Sequence, residues 1–171
     1  GMPILACIPL AVKALQDLGM HRKVQLIVSG GIRSGADVAK AMALGADAVA
    51  IGTAALIALG DNDPKWEAEY QKLGATADAY DDWHEGKDPA GITTQDPELS
   101  KRFDPVLGGR RLKNYLKVMT LEAQTIARAC GKNHLHNLEP EDLCSLTIEA
   151  AAMAGVPLAG TSWIPGRNGS F

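Results

Sequence analysis

Glycine residues follow two short apolar runs within the stretch IVSGGIRSGADVAKAMALGADAVAIGTA, residues 27–54. Gly30 and Gly31 come after the first run, and Gly52 comes after the second. Where a strand meets the next helix, free backbone N–H groups and the positive end of the helix dipole can bind an anion. Because glycine has no Cβ, a phosphate can approach such amides closely. The two turns therefore indicate a phosphate site, although glycine is also common in turns that bind nothing.

Other residue types that could do chemistry form weaker patterns. The dinucleotide-binding pattern GxGxxG and the P-loop pattern GxxxxGK[ST] are both absent from the sequence. His134 and His136 are two residues apart, so on a helix they would point in different directions. The stretch DDWHEGKD, residues 81–88, contains metal-ligand types but is typical of a solvated surface loop. The cysteines are far apart, without a CxxC pair, and indicate no zinc or iron–sulfur site: Cys7, Cys130 and Cys144.

Apolar runs and helix signals alternate around the glycine turns. Residues 24–29 and 47–52 predict two buried strands. Residues 34–44 predict a helix between them that begins with Ser34 or Asp37 and ends at Gly45. This alternation predicts an α/β fold with parallel strands joined by helical crossovers. Further helices are predicted over residues 9–18, from residue 53 onward, and over residues 64–73, 109–130 and 139–154.

The charge balance excludes some function classes. The 171 residues include 17 basic and 20 acidic side chains, a formal net charge of −3, without a long block of either sign. A nucleic-acid or charged-membrane partner would require a basic patch, so we expect neither. No apolar run approaches the roughly 20 residues of a membrane span, and the first residues lack the layout of a secretory signal. We expect a cytoplasmic protein with reduced cysteines.

Several stretches together resemble the FMN-binding synthase domain of the glutamate synthase large subunit. The glycine segment is similar to strands 7 and 8 of FMN- or phosphate-binding barrels, which also include inosine monophosphate dehydrogenase and the flavin α-hydroxy-acid oxidases. PAGITTQDPELSKRF, residues 89–103, resembles the stretch that follows the cluster cysteines of glutamate synthases. GMPILACIPLAVKAL and LKNYLKVMTLEAQTIARACG resemble the segment ahead of strand 7 and the helix after the barrel. The resemblance covers residues 1–160.

The resemblance implies the C-terminal part of a (β/α)8 TIM barrel, with its last two strands, followed by a helical C-terminal extension. It divides the chain into the last βα units (residues 1–60), a polar connector in place of the cluster-binding region (61–106), the helical extension (107–160) and a tail (161–171). A complete barrel takes about 250 residues. We therefore expect the remainder of the barrel, or another subunit, as a partner in a homo- or hetero-oligomer, because the strand edges would otherwise be exposed.

The resemblance also implies FMN as the cofactor. Amides after each strand would bind the FMN phosphate, and Ser29 and Gly30 would line the flavin. Arg33 could contact the phosphate with its guanidinium or face solvent, and Thr53 could donate its hydroxyl or cap a helix. The implied cofactor-binding residues are Ser29, Gly30, Gly31, Ile32, Arg33, Gly52 and Thr53.

The implied activity is that of an oxidoreductase acting on CH–NH2 donors: FMN-dependent reductive amination of a 2-oxo acid such as 2-oxoglutarate, as in glutamate biosynthesis. Three cysteines of that family hold an iron–sulfur cluster, and the corresponding positions fall near Asp61, Trp83 and Asp88. Carboxylates and indole do not replace thiolates as cluster ligands. We therefore expect no cluster, and no residue of the chain stands out as a catalytic acid, base or nucleophile.

Two other functions are alternatives to this interpretation. A barrel of the inosine monophosphate dehydrogenase type would carry a catalytic cysteine loop ahead of strand 7, where Cys7 lies, but ACIPLA does not resemble that loop. A non-catalytic subunit of a larger synthase would keep the glycine turns without the chemistry. The missing cysteines favour this second alternative, and the retained glycine turns weigh against it.

Overall fold

The computed structural model describes residues 1–75 and 86–167. Within these residues the chain combines helices with a two-stranded parallel sheet, as in part of an α/β domain. The elements are α1 (Ile4–Asp17), β1 (Ile27–Ser29), α2 (Gly35–Ala43), β2 (Ala48–Ala50), α3 (Thr53–Leu59), α4 (Glu67–Lys72), α5 (Pro97–Ser100), α6 (Pro105–Ala129) and α7 (Ile148–Ala154). Short 3₁₀ turns lie at Pro64–Trp66, Leu135–Asn137 and Pro140–Asp142. No helix among the described residues is long and apolar enough to cross a bilayer.

The chain divides into two compact units, which are described separately. The first contains Gly1–Ile51 and Met119–Phe171, and the second contains Gly52–Val118. The division of the chain into four segments implied by the resemblance stays a prediction.

The sheet of the first unit pairs β1 with β2 in parallel, with α2 as the crossover between them. Each strand has three residues and is thus shorter than predicted. Val28 faces the core and is 5% exposed, whereas Ile27 is 65% exposed. The prediction of two buried strands is therefore wrong for the described residues, because a two-stranded sheet leaves both outer edges without neighbours.

Helix α2 begins with a capping box. The Ser34 hydroxyl accepts the N–H of Asp37, and the Asp37 carboxylate accepts the N–H of Ser34. Both residues that the sequence offered for this helix start therefore take part in it. The apolar face of α2 packs with α1 and β1 in a core that includes Ile8, Val28 and Met42.

The small residues of α2 allow its backbone to approach α6. Ala39 and Ala43 are buried in one cluster with Ala127 of α6. At the start of α2, a Cβ added to Gly35 would lie 2.3 Å from the carbonyl oxygen of Met119 and 2.6 Å from the amide nitrogen of Ala123. Residue 35 must therefore be glycine for this approach to occur.

Two helices begin earlier than predicted. Helix α1 begins at Ile4, so that Pro9 lies inside it, and its buried residue Ile8 packs in the core. Helix α6 begins at Pro105, four residues earlier than predicted, because the Asp104 carboxylate accepts two N–H groups of its first turn.

The helix predicted over residues 139–154 is wrong in its first half. Pro140–Asp142 form a 3₁₀ turn, and α7 begins only at Ile148, capped by Thr147. The N–H of Ser145 donates to the carbonyl oxygen of Pro157, and the carbonyl oxygen of Ser145 accepts the N–H of Ala159. The backbone of Ser145 therefore bonds to a later segment of the chain and not within a helix.

The second unit folds around the segment that begins PAGITTQDPEL. Arg102 donates from Nη1 to the Glu69 carboxylate at 2.8 Å and to the carbonyl oxygen of Pro89 at 3.0 Å. Gly91 has a φ of +74°, and a Cβ there would lie 2.2 Å from the carbonyl oxygen of Leu99. The helix predicted over residues 64–73 is a 3₁₀ turn followed by α4. Residues 76–85 of the predicted connector lie outside the described residues.

The contact between α2 and α6 predicts that Gly35→Ala lowers the free energy of unfolding by about 2 kcal/mol or more, because the added methyl meets backbone atoms that cannot rotate away. Gly109→Ala is the matched control: Gly109 is also a helical glycine, and its added Cβ would meet nothing within 4 Å. We expect the control to be stabilising by up to about 1 kcal/mol. Urea unfolding of both variants in the full-length protein gives the comparison, and equal effects would contradict it.

Candidate functional site

The two strands of the first unit end side by side. Ser29 at the end of β1 pairs with Ala50 at the end of β2. The turn after β1 contains Gly30 with a φ of +133° and Gly31 with a φ of +68°, both in the region that favours glycine. Ser29, Gly30, Gly31 and Arg33 are exposed, whereas Ile32 is buried in the core. The turn is thus anchored at Ile32 and open to solvent before it.

The first amides of α2 already have acceptors within the chain. The N–H groups of Arg33 and Ser34 both donate to Asp37 Oδ2 at 3.0 Å. The N–H of Gly35 donates to Glu122 Oε2 on α6 at 2.6 Å. Two carboxylates therefore cap this helix, and the main-chain N–H of Arg33, implied as a phosphate donor, is already donated to Asp37.

The N–H groups earlier in the turn have no such acceptor. Within residues 1–75 and 86–167, nothing accepts a hydrogen bond from the N–H of Gly31 or of Ile32. A Cβ added to Gly31 would also meet no atom within 4 Å, so that side of the turn has room for another group. This turn can accommodate an anion at the backbone of Gly31 and Ile32.

The turn after β2 contains Gly52, the first residue of the second unit. Gly52 is the N-cap of α3, with a φ of −110°, and a Cβ there would meet nothing within 4 Å. Gly52 and Thr53 are both exposed. Thr53 is the first residue inside α3 and the cap has no side-chain hydrogen bond, so the alternative in which Thr53 caps the helix is wrong.

A buried polar cluster in the second unit joins two of the residues at the expected cysteine positions. The Tyr70 hydroxyl lies 2.6 Å from Asp88 Oδ1 and 2.9 Å from Asp61 Oδ1. All three residues are almost fully buried. Trp83, at the third position, lies outside the described residues. Sequence reasoning missed Tyr70, for which the only available signal was an aromatic residue on one face of a short helix.

The Asp88 carboxylate is the centre of this cluster. Its oxygens accept the N–H groups of Ala90, Ile92 and Thr93 at 2.9, 2.7 and 2.8 Å, and the Thr93 hydroxyl at 3.1 Å. Burial alone would raise the pKa of Asp88, but the hydrogen bonds from Tyr70 and from these amides outweigh it and hold the pKa below its ordinary value. Burial and the two carboxylates raise the pKa of the Tyr70 hydroxyl, which therefore keeps its proton.

The remaining metal-ligand candidates are described only in part by the structure. Among the described residues, no group of three or more His, Cys, Asp or Glu side chains could hold a metal ion. His134 and His136 lie at a 3₁₀ turn rather than on an α-helix, and their rings stack at 5.0 Å instead of pointing apart. His136 Nε2 lies 2.9 Å from the carbonyl oxygen of Asp47 and donates to it. Most of DDWHEGKD lies outside the described residues.

Comparisons with known proteins identify the family. A family model described as a conserved region in glutamate synthase matches residues 1–65 and 77–133. The chain is 86% identical to a glutamate synthase large subunit-like protein of Rhizobium meliloti (strain 1021), over 98% of this chain and 38% of that protein. It is 41% identical to the archaeal glutamate synthase [NADPH] of Methanocaldococcus jannaschii, over 81% of this chain and 24% of that protein.

A more distant relative is the ferredoxin-dependent glutamate synthase 1, chloroplastic/mitochondrial, of Arabidopsis thaliana, 32% identical over 70% of this chain and 6% of that protein. No solved structure matches the chain. The chain belongs to the glutamate synthase family, whose members are oxidoreductases, which confirms the resemblance found in the sequence. It spans no more than 38% of the length of these relatives. Cys7 lies inside α1 rather than on a loop, which does not favour the dehydrogenase alternative.

The hydrogen bonds of Asp88 predict an acid-dependent loss of stability. Because its pKa is lowered on folding, Asp88 stabilises the protein above its ordinary value of 3.8, and this contribution is lost as the pH falls through the folded-state value. We expect Asp88→Asn to lower the free energy of unfolding at pH 7 by about 2 kcal/mol, with the difference from wild type shrinking below about pH 4.

Urea unfolding at several pH values measures this difference. Asp17→Asn is the control, because the Asp17 carboxylate is exposed and its ion pair with Lys13 lies on the surface, so we expect changes within about 0.5 kcal/mol. A wild-type advantage over Asp88→Asn that stays constant down to pH 3 would contradict the prediction.

Proposed function

We propose that this chain supplies part of the FMN site of a glutamate synthase-like oxidoreductase that reductively aminates a 2-oxo acid such as 2-oxoglutarate. The observation that carries the proposal is the exposed turn after β1, with its two glycines at positive φ and open space beside Gly31. Family membership supports the reaction class. FMN, when bound, would supply the redox chemistry, and this part of the chain would bind and orient it.

The proposed phosphate contacts follow from which amides are available. Gly31 and Ile32 would donate their N–H groups, because those of Arg33 and the next residues are donated to carboxylates of the chain. Arg33 would contribute its guanidinium instead. Ser29 and Gly30 would line the flavin. For Gly52 and Thr53 the proposal rests on the resemblance and on their exposure.

We further propose that β1 and β2 are the last two strands of a (β/α)8 barrel. The 65% exposure of Ile27 supports this, because an apolar strand residue without a neighbour is suited to pairing with a further strand. The remaining strands would come from the rest of a longer polypeptide or from another subunit. This agrees with the 38% of the Rhizobium meliloti relative that the chain spans. The cytoplasmic location stays a prediction.

We also propose that this part of the enzyme holds no iron–sulfur cluster. Asp61 and Asp88 stand near two of the expected cysteine positions, and both carboxylates lie within hydrogen-bonding distance of Tyr70. The Asp88 carboxylate accepts three N–H groups of its own loop, and carboxylates do not replace the thiolates that hold such clusters. Electrons would then reach the flavin without passing through a cluster in this region.

The proposed site predicts that Gly31→Ala weakens FMN binding by about tenfold or more in the full-length protein, because the new methyl occupies the open side of the turn. Gly19→Ala is the matched control, since Gly19 also has a positive φ, +63°, and open space around it, but lies away from the turn. Both variants carry a similar backbone strain of about 1 kcal/mol.

Fluorescence titration of FMN into the apoprotein measures the affinity of each variant. We expect only Gly31→Ala to bind FMN more weakly than the wild type. Equal affinities in the two variants would contradict the site, and a wild-type protein without FMN affinity would favour the non-catalytic subunit.

A further inference from the structure

The turn proposed to bind the phosphate is held by the strand before it, by the buried side chain of Ile32 and by the start of the helix after it. Ser29 at one end belongs to the β1–β2 pairing. Gly30 and Gly31 are the residues with the greatest conformational freedom, and the structure gives no acceptor within its described residues for the N–H of Gly31 or Ile32. The contacts at the start of the next helix therefore contribute to the direction of these amides.

The other end is the start of α2, which contacts α6. Glu122 of α6 accepts the N–H of Gly35 at 2.6 Å, although the two residues are 87 positions apart. The same glycine lies against the α6 backbone, where a Cβ would come within 2.6 Å of the amide nitrogen of Ala123. Gly35 is thus held to α6 in two ways: by a short hydrogen bond to a carboxylate and by close packing of the two backbones.

The capping box of α2 does not replace this contact. Asp37 bonds to Arg33 and Ser34, which lie in the same segment, so that these bonds shape the helix start but do not attach it to another element. Glu122 is the acidic residue of α6, and it takes the N–H of Gly35 rather than those of Gly31 and Ile32. It therefore leaves the amides of the turn available for an anion.

We propose that Glu122 is a positioning residue for the phosphate-binding turn: by fixing Gly35 to α6, it holds the amides of Gly31 and Ile32 in the orientation that binds the phosphate of FMN. This inference rests on the proposed function for its ligand. Glu122 contacts neither flavin nor substrate in this account, and its effect reaches the ligand through α2. A loss of Glu122 should therefore affect recognition of the phosphate and not of the isoalloxazine ring.

The test compares FMN with riboflavin, which lacks the phosphate. In the full-length protein, Glu122→Ala should weaken FMN binding roughly tenfold and leave the affinity for riboflavin unchanged. Glu122→Gln keeps a side-chain oxygen that can accept the Gly35 N–H, and should restore FMN affinity to within about threefold of wild type. Gln124→Ala, which shortens an exposed side chain two positions along the same helix, should behave as wild type.

A second readout needs no flavin. Amide hydrogen exchange in the apoprotein should accelerate at residues 33–35, whose N–H groups are hydrogen-bonded, in Glu122→Ala and return to the wild-type rate in Glu122→Gln. An Ala variant with unchanged exchange and an unchanged ratio of FMN to riboflavin affinity would overturn the inference. An equal loss of FMN and riboflavin affinity would also overturn it, because it would indicate that Glu122 stabilises the fold in general. If the wild type binds no FMN, the proposed function fails, and the exchange rates still decide whether Glu122 fixes the turn.

Discussion

The absence of a side chain at Gly35 is the constraint on which the first unit depends. Only hydrogen at this position lets the start of α2 lie against the backbone of α6, with Glu122 accepting its amide. Since α2 is the crossover between β1 and β2, this contact also bears on the strand pairing and on the turn after β1. The small residues that follow, Ala39 and Ala43, continue the same close approach along the two helices.

In the second unit, the main constraint is a loop whose backbone N–H groups point toward the interior. The amides of Ala90, Ile92 and Thr93 converge on one buried carboxylate, Asp88, and Tyr70 completes the arrangement. Buried polar groups are stabilising only when their partners are present. The cluster thus stabilises a folded form of this loop through hydrogen bonds within the chain.

The sequence predicted what is local and missed what is not. The glycine turn, the parallel crossover and the roles of Ser34 and Asp37 follow from neighbouring residues, and these predictions agree with the structure. The contact between Gly35 and Glu122 spans 87 positions, so no local pattern could have indicated it. The unbroken helix predicted over residues 139–154 failed for the same reason, because Ser145 bonds to Pro157 and Ala159 instead of to its own helix. The proposed FMN contacts themselves stay predictions.

We propose that this family member binds flavin through the glycine turn and carries no iron–sulfur cluster in the region of Asp61 and Asp88. The visible absorption spectrum of the purified full-length protein tests it most directly. We expect flavin bands without the broad absorption of an iron–sulfur cluster. A spectrum without flavin bands, or one that contains cluster absorption, would contradict it.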